Sequence, residues 1–152
     1  MAYPSIFNED VSNQVIARIN QLKADTPALW GKMNVGQMLA HCNVTYEMVY
    51  TDKHPKPNFI LKFILKTFVK GVVVGQSPYK KNSSTAPQFI MKEDKNFEAE
   101  KALLIAHIQK TQKLGSAYFE GKESNSFGNL SADEWNVQFY KHLDHHLGQF
   151  GV

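Results

Sequence analysis

An all-α bundle is the fold class the sequence predicts, on three observations. Apolar residues recur at helical spacing in four segments and again in a fifth. No stretch sustains the alternation of a half-buried strand. The last segment opens on a complete helix N-terminal signature.

Taken in order, the first helix starts at Asn8, an N-cap residue followed by Glu9 and Asp10, whose charges suit the positive end of a helix dipole. Val11, Val15, Ile19 and Leu22 make its stripe, and Thr26-Pro27 closes the segment. The second helix runs from Asn34 to about Tyr50 with Val35, Met38, Leu39, Cys42, Thr45 and Val49 as apolar positions. His41 shares a face with Met38 and Thr45. Asp52 to Pro57 is a loop. From Asn58 to Gly75 a helix would carry Lys62, Lys66 and Lys70 as one solvated stripe, with Phe63, Ile64, Phe68 and Val72 elsewhere around it. Residues 76–93, with two prolines and a Ser/Thr cluster, read as a long loop. The next helix spans about Asn96 to Leu114, with Phe97, Leu104, Ile108 and Thr111 on one side and Gly115 as its C-cap. In the last, Ser131 and Glu134 form a capping box, while Leu130 and Trp135 form the matching hydrophobic staple.

The bulk numbers bound what such a bundle does. A chain of 152 residues, 43% hydrophobic and 20% charged, suits one soluble domain over 1–152 with a real core. A net charge of +3, spread along the chain, does not argue for nucleic acid. Cys42 is the one cysteine, so no disulfide forms within the chain, which fits a reducing cytoplasm. MAYPSIFNED lacks the pattern of a signal peptide, and the lysines between Phe59 and Val74 interrupt what would otherwise resemble a membrane span. Membrane-surface association through that segment is the weakest of the readings, because lysines at i, i+4 are equally what a solvated helix face looks like.

The chemistry gathers in the last helix. At about 100° per residue, Trp135, Gln138, Phe139, His142, His146 and Gln149 fall on one stripe. His142 and His146, one turn apart, can both point at one ion, whereas His145 lies about 60° off the pair. Two readings stay open on this pattern: a surface histidine cluster favoured by the helix dipole, and a metal site on an inward face. A catalytic metal needs a third protein ligand from another helix. His41 and His107 both stand on helical segments, while His54 sits in the Lys/Pro loop and reads as solvated. For His107 a hydrogen bond to a neighbour suffices; for His41 the residues alone do not decide. Cys42 points about 100° away from His41 and reads as a buried, inert thiol.

WGKMNVGQMLAHC (Trp30–Cys42) and SFGNLSADEWNVQFYKHLDHHLGQFGV (Ser126–Val152), 40 residues together, resemble the DinB/YfiT-like superfamily of four-helix metalloenzymes. They look like a bacterial branch with a W-G-K-M opening and an H-H-L-x-Q-F-G-V ending. The resemblance implies a DinB-like four-helix bundle with a long crossover and an extra short helix. It also implies His41, His142 and His146 as ligands of a divalent metal, zinc or nickel foremost, and a homodimer. Where that branch often has His-Pro, this chain has Asn125-Ser126 before Phe127-Gly128.

Function follows from the same resemblance. Relatives imply a hydrolase or a thiol S-transferase acting on a small-molecule substrate, with the metal activating water or a low-molecular-weight thiol. The other reading is a non-enzymatic, stress-associated module with a structural metal or none. Gln37, Gln138 and Gln149 are candidates to support the ligands, and no residue stands out as a general base.

Overall fold

The protein is described by a computed structural model covering residues 2–152. It is predominantly helical, as the periodicity predicts. In chain order come α1 (Glu9–Gln21), α2 (Val35–Tyr50), α3 (Phe59–Ile64), a π turn (Leu65–Val69), α4 (Lys70–Val74), a 3-10 turn (Pro87–Phe89) and α5 (Phe97–Phe119). The two-residue strands β1 (Glu123–Ser124) and β2 (Gly128–Asn129) then pair antiparallel before α6 (Ala132–Gln149). Strands this short carry no alternation for a sequence to display.

Four long helices share one core. Val15 and Ile19 of α1, Met38, Leu39, Cys42 and Tyr46 of α2, Leu104 and Ile108 of α5, and Trp135, Phe139, Leu143 and Leu147 of α6 are all buried in it. At its centre Tyr46 stacks on Phe139 with ring centroids 4.9 Å apart, and Phe139 stacks in turn on Trp135 at 5.5 Å. α2 is the innermost helix. Apart from Gln37, every residue from Val35 to Glu47 is buried, which explains a helix apolar nearly all round. Gly36 is required there, because a Cβ would lie 2.8 Å from the Lys95 carbonyl oxygen.

Local signals set the helix ends. Ser131 and Glu134 make the capping box that opens α6, with Glu134 N–H donating to Ser131 Oγ and Ser131 N–H to Glu134 Oε2. α2 has an equivalent box between Asn34 and Gln37. Two ends differ from expectation. α1 stops at Gln21, before Thr26-Pro27, because Leu22 turns extended and buries its side chain in the core. α5 does leave helical geometry at Gly115 (φ 73°) but resumes for one more turn to Phe119, which is fully buried among aromatic rings.

The largest departure concerns α3–α4. The lysine stripe is only partly solvated: half-buried Lys62 pairs with Glu123 and half-buried Lys70 with Glu134 at 2.8 Å, while Lys66 stays exposed beside Gly128. Leu65, Val69, Val73 and Val74 pack inward beside them, leaving Phe63, Ile64, Phe68 and Val72 exposed. Periodicity revealed two faces but not which one turns inward. Acidic partners from the hairpin and α6, remote in sequence, decide it. The far end is held by Lys141 of α6, whose ammonium donates to the carbonyls of Val72, Gly75 and Ser77 at 2.7, 2.5 and 3.2 Å. Burial pulls the Lys141 pKa down to about 8. No helix among the described residues is long and apolar enough to cross a membrane.

Candidate metal centre

The innermost helix and the last one bring three histidines together. One ring nitrogen each from His41, His142 and His146 lie within 4.8 Å of one another. His41 and His146 are buried, while part of His142 reaches solvent. His41 Nε2 and His142 Nε2 are 3.0 Å apart, and the ring centroids of the three residues are separated by 4.5–4.9 Å. No other group of three His, Cys, Asp or Glu comes together in this way among the described residues.

What holds the rings defines their tautomers. His41 Nδ1 lies 2.9 Å from the carbonyl oxygen of Phe89, which can only accept, so His41 donates from Nδ1 and keeps the Nε2 lone pair free. His146 Nδ1 lies 2.8 Å from Gln149 Oε1, and the Gln149 amide donates in turn to the Trp30 carbonyl. That chain makes His146 an Nδ1 donor as well, again leaving Nε2 for a ligand. His142 Nδ1 lies 3.1 Å from Thr45 Oγ1, a hydroxyl able to donate or accept. His142 can therefore place a proton between itself and His41, or turn its own Nε2 lone pair into the cluster. Partners of this kind on the far nitrogen are how proteins orient metal-binding imidazoles.

The electrostatics keep the rings neutral. Burial lowers the His41 pKa, and nearby His145 adds to this against the Phe89 carbonyl. Desolvation pulls His146 down to about 3, helped by His41. His142 falls well below the ordinary histidine range for the same first reason, with His146, His41 and His145 disfavouring a further positive charge. Three neutral nitrogen donors suit a borderline divalent ion with metal–nitrogen bonds of about 2.0–2.1 Å. The donor set fits such an ion.

Around the cluster stand aromatic walls. Phe89 packs against His41 and His142 at centroid distances of 5.2 and 5.9 Å. Tyr79 meets His142 and His145 edge-on, and Trp30 meets His145 at 5.9 Å with Lys81 above its indole. His145 thus lies on the rim and outside the cluster, as its helical angle predicts.

The remaining residues singled out by sequence fall elsewhere. His107 is buried on α5, donating from Nδ1 to the side-chain oxygen Oδ1 of Asn43 at 3.0 Å. His54 is not solvated: its Nε2 lies 2.6 Å from Glu47, a buried carboxylate. Burial pushes Glu47 up, but Lys53 and His54 outweigh it and hold the carboxyl below its ordinary range. Cys42 is buried beside Met38, and burial pushes its thiol far up, so it is inert at neutral pH. Of the three glutamines only Gln149 touches a cluster histidine. Gln37 serves the α2 capping box and donates to the Glu93 carbonyl, and Gln138 Oε1 is buried without a partner. Sequence reasoning missed the Phe89 carbonyl, which no side-chain pattern reveals. Thr45, one turn after His41, was visible as a neighbour on its face. Asn125-Ser126 sits in the hairpin turn between β1 and β2, before α6, and contributes no residue to the cluster.

These features define a helical bundle whose second and last long helices bring three histidines within reach of one metal ion. Residues 7–151 match the family described as "Protein of unknown function (DUF1569)", and the chain belongs to that family. No curated protein and no solved structure matches it.

Proposed function

We propose that the protein is a divalent-metal-dependent enzyme of the DinB/YfiT-like kind, with His41, His142 and His146 as the metal ligands. One observation carries the reading: three buried or half-buried imidazoles converge while each Nδ1 is already engaged by Phe89, Thr45 or Gln149. A divalent ion held by neutral donors keeps its full charge, so it lowers the pKa of a nearby water or thiol and generates a nucleophile near neutral pH.

The chain's own residues do the rest. The lowered pKa values keep His41, His142 and His146 unprotonated, so they act as ligands and not as proton carriers. Phe89, Tyr79 and Trp30 wall the approach, and the partly exposed His142 marks the side on which a small substrate enters. Zinc or nickel suits the nitrogen donors, and hydrolysis or thiol transfer to a small molecule is the reaction class.

Metal analysis of the purified protein tests this. The expected result is about one equivalent of zinc or nickel, lost in His146→Ala, together with hydrolytic or thiol-transfer turnover that depends on the metal. Absence of stoichiometric metal, or full retention by His146→Ala, would overturn the assignment.

A further inference from the structure

We infer that the α3–α4 segment is a docking surface for an anionic lipid bilayer. Seven of the eleven exposed large hydrophobic residues identified among the described residues lie on this one segment: Phe59, Ile60, Leu61, Phe63, Ile64, Phe68 and Val72. Phe59, Phe63 and Phe68 are 82%, 68% and 72% exposed. Soluble proteins rarely leave so many large apolar side chains together in water unless the patch meets something. The π turn serves this face. Its i→i+5 bond, from Lys70 N–H to the Leu65 carbonyl, widens one turn and keeps Phe63 and Phe68, five apart, on the same side.

Charge selects the occupant. From Lys53 to Lys92 the chain holds eight of its 17 basic residues and none of its 14 acidic ones; Lys53, Lys62 and Lys70 pair with Glu47, Glu123 and Glu134, and the other five make no ion pair among the described residues. Lys62 and Lys66 line an open groove of about 560 Å³ together with Phe59, Phe63, Gly128 and Asn129, so lysine stems stand beside the exposed rings. A second copy in a twofold dimer would set this patch against itself, basic stretch on basic stretch. A bilayer with anionic headgroups supplies the opposite charge, with an acyl boundary for the rings and headgroup oxygens for lysines at their margin. The lysines do not argue for a solvated face, because Lys62 and Lys70 turn toward the body of the protein and the apolar side faces out. The segment lies on the surface without crossing, consistent with the absence of a spanning helix among the described residues.

Flotation of the full-length protein with vesicles tests the inference, comparing neutral phosphatidylcholine alone with the same lipid containing 30% phosphatidylserine. The protein should float with the anionic vesicles and not with the neutral ones, and raised salt should release it. Phe63→Ser with Phe68→Ser should weaken partitioning at least about tenfold while leaving the circular dichroism spectrum unchanged, since both side chains project into solvent. Phe68→Trp supplies a second readout, a blue shift of its emission on adding anionic vesicles. No flotation with anionic vesicles, equal flotation of the double serine variant, or a concentration-dependent dimer that the double variant dissolves would each overturn it.

Discussion

The histidine-bearing stretches of α2 and α6 and the α3–α4 segment are both apolar helices with polar residues at i, i+4 spacing, yet the fold uses them in opposite ways. On α2 and α6 the polar residues turn inward and find one another, with Phe89, Thr45 and Gln149 fixing the rings. On α3–α4 the lysines reach carboxylates of the hairpin and α6, and the large apolar residues remain in water. Periodicity shows that a helix has two faces. Which face is buried depends on what the rest of the chain brings to it.

That contrast is most directly broken by deleting one aromatic ring on each side of it. Phe139, stacked between Tyr46 and Trp135 and 1% exposed, should cost about 3–5 kcal/mol as Phe139→Ala. Phe68, 72% exposed, should stay within about 0.5 kcal/mol of the parent as Phe68→Ala. Urea unfolding checks both, and equal losses would mean that the α3–α4 face is packed against something in solution.

Acid sharpens the comparison at a smaller scale. His146 has a folded-state pKa of about 3, below its unfolded value of about 6.5, so between these limits the unfolded chain binds more protons. Its contribution is complete above about pH 6.5 and is lost as pH falls toward 3. His41 and His142 shift in the same direction. Stripped of metal, the protein at pH 5 should lose on the order of 2 kcal/mol through His146 relative to pH 7.5. His146→Gln should flatten that dependence, and an unchanged urea midpoint between the two pH values in the parent would contradict neutral buried imidazoles.

Much of the architecture was legible because helix ends are written locally. The α6 capping box, the Asn34 start of α2 and the Gly115 break are short-range features readable from a few residues. The inward face carrying His142 and His146 was readable for the same reason. Choosing His41 over His107 was not, since both stand on inward helical faces. The difference is what lies opposite: His41 meets His142, whereas His107 meets Asn43. Contacts separated by about 100 residues of chain leave no trace in spacing, and the family resemblance, not periodicity, pointed to His41. Lys62, Lys70 and His54 depart from the solvated expectation for the related reason that Glu123, Glu134 and Glu47 stand opposite them.

X-ray absorption on the zinc-loaded protein tests the central claim most directly. Three imidazole nitrogens from His41, His142 and His146 at about 2.0–2.1 Å, with no sulfur in the coordination sphere, is the predicted spectrum. A zinc–sulfur shell near about 2.3 Å, which would implicate Cys42, or a spectrum with fewer than two imidazoles, would contradict it.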